Sequence, residues 1–274
     1  MSIDRNEILT EMGLTPRWIR RDAPAVLPAA TARAAHPPAI EAATSIPTAA
    51  RDDARAAPDD HRATRIAALS WNDFAADVDA CNACGLCRTR NRSVPGVGDV
   101  EAEWMFVGEA PGAEEDARGE PFVGQAGRLL DNMLGALGMA RHRNVFIANV
   151  LKCRPPGNRT PEPAEAAACR PYLERQIALL RPRILVALGK SAAALLLGTD
   201  ATIASLRGRV HAYGGVPLIV TYHPAYLLRA PADKAMAWED LLLARRTVTT
   251  GAVAVAAAAA TATGGDRAAG SFIV

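Results

Sequence analysis

Apolar residues follow two alternating rhythms through the middle of the chain. Short uninterrupted runs, WMFVG (104–108), VFIAN (145–149), RILVAL (183–188) and PLIVT (217–221), fit strands buried on both faces. Between them, residues 126–137 and 163–180 repeat apolar positions at helical spacing, and 190–197 predicts a further short helix. Gly138 and Pro182 stand where the two longer helices should stop. Strands alternating with helices of this length predict an α/β fold. Its form is a three-layer α/β/α arrangement around a central, mostly parallel four-stranded sheet. Ligands in such sheets bind beyond the C-terminal ends of the strands. Here those ends carry Gly108-Glu109, Asn149, Gly189 and Tyr222-His223-Pro224, which converge on one crevice.

Outside this region the rhythm fades. Residues 1–22 hold a short amphipathic segment, with Trp18 and Ile19 among Arg17, Arg20 and Arg21. Residues 23–66 are Ala- and Pro-rich, a linker composition; 67–248 form the globular zone, and 249–274 read as a low-complexity tail. The N-terminus lacks the apolar stretch of a secretory leader, and the alanine-rich tract near the C-terminus is too short for a membrane span. A cytoplasmic, membrane-free protein is expected.

A net charge of +2 over 274 residues excludes a strongly polycationic protein but not a local basic face for nucleic acid. The five cysteines all lie between positions 81 and 169, which points to metal or redox chemistry in a reducing compartment. Cys81-Asn-Ala-Cys84 places two thiolates on one tight turn, and Cys87 makes a second, overlapping pair with Cys84. Cys153 follows the second strand, and Cys169 lies on the next helix. Four thiolates, two local and two remote, suit a [4Fe–4S] cluster or a structural zinc, and spacing alone leaves both open.

The segment GEAPGAEEDARGEPFVGQAG (108–127) follows the first strand. Its glycines let backbone approach a ligand and its acids supply carboxylates at the mouth of the crevice. It is neither a phosphate-binding P-loop nor a dinucleotide fingerprint. Taken singly, Phe122 is a core plug, Asn149 a turn cap and His223 a satisfied loop histidine. The topology brings all three to one edge with Glu109, which favours a site.

GEAPGAEED, PFVGQAGRLLD, NVLKCRPPGNRTP and YHPAYLLR occur in this order with matching intervals. With the cysteine spacing, they resemble family 4 of the uracil-DNA glycosylase superfamily, the iron–sulfur type, over roughly residues 78–246. The resemblance implies a uracil-DNA glycosylase-like fold and a monofunctional N-glycosyl hydrolase of base excision repair. Such an enzyme flips uracil out of DNA and leaves an abasic site. It implies a structural [4Fe–4S] cluster on Cys81, Cys84, Cys153 and Cys169, with Cys87 a spare thiol. Phe122 would stack on the extruded base. Asn149 would pair with the base's Watson–Crick edge, beside Gly108 and Ala110, and His223 would donate to O2 of the departing base. Glu109 is the first candidate to position water; Glu115 is the second, or a wall against the methyl group of thymine. Leu227 or Leu228 would fill the gap in the duplex, and Arg229, Lys152, Arg154 and Arg159 would meet phosphate. The class suits a monomer, and the 1–22 segment, outside the resemblance, is read as a docking peptide for a replication or repair partner. Three rivals are weighed. A member forming a covalent adduct would carry a reactive histidine where this chain reads CRPPGNRTP; a non-catalytic iron–sulfur DNA-binding module would lack the pocket residues. A zinc-binding structural protein would be colourless.

Overall fold

The four uninterrupted apolar runs lie side by side as parallel strands because both of their faces are covered. They are β2 (Trp104–Gly108), β3 (Val145–Asn149), β4 (Ile184–Leu188) and β6 (Val216–Thr221) in a computed structural model that describes residues 59–250. Two short antiparallel strands extend the edges: β1 (Val97–Gly98) beside β3, and β5 (Val210–Tyr213) beside β6. The sheet therefore has six strands, in the order β1-β3-β2-β4-β6-β5, where the apolar pattern predicts four. The additions left no apolar run to read: β1 has two residues, and β5 alternates exposed with half-buried positions.

Side chains of alternate strand residues feed separate cores on the two faces, as strand geometry requires. Trp104, Phe106, Val145, Ile147, Val186 and Ile219 pack on one face with α4 (Gln125–Ala136) and α9 (Lys234–Thr249). Met105, Val107, Phe146, Ala148, Leu185 and Val220 pack on the other with α5 (Pro163–Leu180) and α6 (Lys190–Leu197). The three-layer arrangement follows directly from this division. Shorter helices α3 (Ala113–Arg118), α7 (Ile203–Leu206) and α8 (Pro224–Arg229) occupy loops at the strand ends.

The N-terminal boundary differs from expectation. α1 (Asp59–Ala67) overlaps the end of the stretch read as linker, and α2 (Trp71–Ala80) follows it. Ile66, Phe74, Val78 and Tyr172 form a small satellite core, and Arg62 donates to the Ala168 carbonyl at 2.9 Å. The polar composition of 59–66 hid a helix whose inward face is Arg62 and Ile66. The 1–22 docking segment and nearly all of the 249–274 tail lie outside the described residues.

Candidate active site and thiol cluster

The crevice forms where the C-terminal ends of β2, β3 and β6 meet. Glu109, Ala110, Gly112, Glu115, Phe122, Asn149, Arg159, His223 and Arg229 are among the residues lining an open cleft of about 570 Å³, which is within the range of small-molecule sites. Gly108 lies in register with Asn149 on the neighbouring strand. A Cβ at 108 would stand 2.3 Å from Asn149 Oδ1 and 2.8 Å from Phe122 Cζ. The glycine lets these two side chains close over the end of β2.

Asn149 is only 2% exposed, and that surface faces the cleft. Among the described residues its side-chain amide has no hydrogen-bond partner. Its side chain opens on the cleft, so its donor and acceptor are available to something that enters there.

Phe122 is held in a left-handed backbone conformation, φ 55°. Arg141 fixes that turn by donating to the carbonyls of Pro121, at 2.8 Å, and of Phe122, while pairing with Asp131 at 2.7 Å. Gly127 permits the same turn, because a Cβ there would overlap the Phe122 carbonyl. The ring thus anchored lies over the imidazole of His223, centroids 5.5 Å apart.

His223 caps α8, its Nδ1 accepting from the Ala225 N–H at 3.0 Å. An Nδ1 that accepts leaves the proton of the neutral ring on Nε2. Burial, helped by the positive charge of Arg229 and opposed by Glu115, pulls the imidazole down to about 4. His223 is therefore a neutral Nε2–H donor at physiological pH. Gly189, at φ 93°, makes room for it: a Cβ there would stand 2.8 Å from the His223 Cβ.

Glu109 and Glu115 have different employment. Burial raises the Glu109 carboxyl above its ordinary value, and a hydrogen bond from Ser191 partly offsets that rise. Glu115 instead braces its own loop, its carboxylate accepting from the N–H groups of Gly112 (3.1 Å), Val123 (3.0 Å) and Gly124 (3.4 Å). Glu115 also lines the cleft, and the bonds it makes there are to backbone. Its oxygens serve N–H groups at the starts of α3 and α4, which need acceptors.

The basic and apolar residues also sort differently from expectation. Lys152, read as a phosphate contact, is 1% exposed and points inward to the Asn149 carbonyl. Arg159 is gripped by Glu165 at 2.9 and 2.6 Å, so its charge is answered within the protein. Arg154 bonds only Asn158, at 2.7 Å, and Arg229 the Ala225 carbonyl, at 2.8 Å, which leaves both guanidinium charges without a carboxylate partner among the described residues. Leu227 is fully buried and Leu228 is 45% exposed, so of the two only Leu228 can reach outward. The α8 helix turns one into the core and the other away from it.

All five cysteines, none in a disulfide, line one narrow pocket with Arg90, Lys152 and Tyr172. Nitrogen donors point at three of the sulfurs: Arg90 at Cys153 (2.8 Å), the Lys152 N–H at Cys169 (3.3 Å) and Arg62 at Cys81 (3.5 Å). Burial pushes the Cys169 thiol up to about 11 and raises Cys153 and Cys84 as well. Among the described residues, no three Cys, His, Asp or Glu side chains meet at single-ion spacing. The sulfurs stand around a shared space instead of at one point.

Sequence reasoning missed Ser191, Arg141, Gln176 and Asp116. Asp116 is buried and accepts from the Asn91 N–H at 2.9 Å and its side chain at 2.6 Å, tying the thiol loop to α3. Only its place in the acidic motif could have marked it.

The profile of the uracil DNA glycosylase superfamily matches residues 95–242, more than half of the chain, and so defines its class. The chain is 45% identical over 170 residues to the type-4 uracil-DNA glycosylase of Archaeoglobus fulgidus, covering 59% of this chain and 85% of that protein. Its match to the type-4 uracil-DNA glycosylase of Pyrobaculum aerophilum is 46% over 174 residues, covering 61% and 88%. The type-5 uracil-DNA glycosylase of the same organism is 36% identical over 152 residues, covering 50% and 67%. The chain belongs to the type-4 uracil-DNA glycosylase family.

Proposed function

We propose that this protein excises uracil from DNA, hydrolysing the bond between N1 of the base and C1′ of the sugar to leave an abasic site. The observation that carries the reading is the unpaired amide of Asn149 in a cleft of suitable size. Its Nδ2 would donate to uracil O4 and its Oδ1 would accept from N3–H. Cytosine presents an amino group and a bare N3 at those positions, so both contacts would oppose. Phe122 supplies the apolar face on which the extruded base stacks.

Water adds its oxygen to C1′, the N1–C1′ electron pair departs with the base, and the water's proton passes to Glu109. The neutral His223 donates from Nε2 to O2 as negative charge builds there, a contact strongest in the transition state. Leu228 fills the space left by the flipped nucleotide, and Arg154 and Arg229 hold the flanking phosphates.

Cys81, Cys84, Cys153 and Cys169 would hold a [4Fe–4S] cluster, with Cys87 outside the set. The fit rests on their ring around one pocket and on the N–H donors aimed at the sulfurs, which offset thiolate charge. Bound there, the cluster supplies cross-linking between the 81–90 loop, the end of β3 and α5.

Five thiols outside any disulfide suit a reducing cytoplasm, and no described helix is long and apolar enough to cross a membrane. The enzyme would act as a monomer, with residues 1–22 tethering it to a repair or replication partner. Deleting residues 1–57, which stops short of α1, should spare cleavage of short oligonucleotides and abolish partner capture. The reading as a whole is tested with anaerobically purified protein and a single-uracil oligonucleotide. Release of free uracil with an alkali-labile site supports it; intact DNA with cluster-loaded protein overturns it.

A further inference from the structure

Lys152 lies three residues beyond Asn149 and immediately before Cys153, yet it takes no part in the chemistry above. It is 1% exposed, and among the described residues no carboxylate pairs with it. An ammonium buried in that way is costly and has to be met by hydrogen-bond acceptors. Its side chain turns back along its own strand exit. Nζ donates to the Asn149 carbonyl at 2.7 Å and to Gln176 Oε1 at 2.5 Å. Gln176, fully buried on α5, passes the chain of bonds on, its Nε2 donating to the Pro95 carbonyl at 2.7 Å. The Lys152 backbone N–H meanwhile donates to Cys169 Sγ, two turns earlier on the same helix. Val94 N–H closes the far side on the Lys152 carbonyl at 2.8 Å.

We infer that Lys152 is a positioning residue for base recognition, tying the peptide of Asn149 to the helix that carries Cys169. The inference rests on the reading of Asn149 as the base-recognising group. The end of β3 is where the strand's own ladder stops, so the Asn149 carbonyl needs another partner to fix its peptide plane. A lysine reaches it only from inside, beside the pocket that Cys153 and Cys169 line. Order at the thiol pocket is thereby transmitted to the amide that meets the base.

The test uses the full chain, purified anaerobically, and measures iron per chain together with the dissociation constant for free uracil by calorimetry. The variants are Lys152→Met, Asn149→Ala, the double variant and Gln176→Leu. Lys152→Met should weaken uracil binding about tenfold, the scale of a lost charge-assisted hydrogen bond. It should add little in the Asn149→Ala background, because the two act through one group. Equal losses in both backgrounds, or an unchanged constant in Lys152→Met, overturn the inference. If Lys152→Met fails to retain iron, Gln176→Leu decides. Weakened uracil binding at full iron content upholds the coupling, and unchanged binding refutes it. If Asn149→Ala itself binds uracil as the parent does, the recognition reading fails and takes this inference with it.

Discussion

The ring of Phe122 lies over that of His223, centroids 5.5 Å apart and planes inclined by 28°. This contact joins two loops that leave different strands, one after β2 and one after β6. Phe122 is buried on the cleft wall by a strained turn, while His223 is held by the first turn of α8. The proposed stacking face and hydrogen-bond donor are therefore set by one packed pair.

Gly108 brings two cleft side chains together at close range. Gly108→Ala places a methyl group 2.3 Å from Asn149 Oδ1 and 2.8 Å from the Phe122 ring. Displacement of either by about 1 Å should lower the single-turnover rate by roughly 10²-fold, with circular dichroism unchanged. A variant with parental rate would show that the two side chains do not act from these positions.

In the proposed reaction Glu109 works as a carboxylate, and burial holds its carboxyl above the ordinary value. Activity should fall on acidification at a higher pH than an exposed glutamate would give. Ser191→Ala removes the hydrogen bond that opposes this rise and should shift the acid limb of the pH–rate profile further upward. Ser191→Thr, which keeps the hydroxyl, should restore it. Identical limbs in all three proteins would remove Ser191 from the site.

Burial also governs His223, whose ionisation lies at about 4 in the folded chain against 6.5 in the ordinary case. Between these values the unfolded chain takes up a proton that the folded chain refuses. The stability contributed here is present in full above pH 6.5 and is lost as pH falls toward 4. Denaturant unfolding at pH 7, 5.5 and 4.5 should show a shallower loss for His223→Asn than for the parent protein. Parallel losses would mean that His223 titrates normally.

Leu227 and Leu228 are neighbours with opposite exposure. Leu227→Ala should destabilise the fold by about 2–5 kcal/mol, as a buried leucine does. Leu228→Ala should change stability by no more than about 0.5 kcal/mol and slow excision from duplex more than from single-stranded DNA. Equal slowing on both substrates would assign Leu228 no role in filling the duplex.

How far the sequence could be read depended on whether a residue's partners lay nearby in the chain. β2, β3, β4 and β6 were legible because strands buried on both faces leave continuous apolar runs. α5 was legible from its spacing and its stop at Pro182. The cleft residues Glu109, Asn149 and His223 followed from the strand ends. What stayed hidden depends on long-range pairing. Lys152 reads as a surface cation from its neighbours in the chain, because the Gln176 that meets it lies 24 residues away. Glu115 looked like a free carboxylate, although the N–H groups it serves belong to a loop that folds back from residues 123 and 124. Leu227 and Leu228 are indistinguishable without the orientation of α8.

The central claim is that Asn149 reads the base, and single-turnover excision by the parent and by Asn149→Ala tests it most directly. The substrates would be oligonucleotides carrying one uracil, one thymine or one cytosine at the same position. The account predicts release of uracil alone by the parent and a rate at least about 10²-fold lower in the variant, the scale for a lost transition-state contact. Parental uracil excision by Asn149→Ala would contradict it.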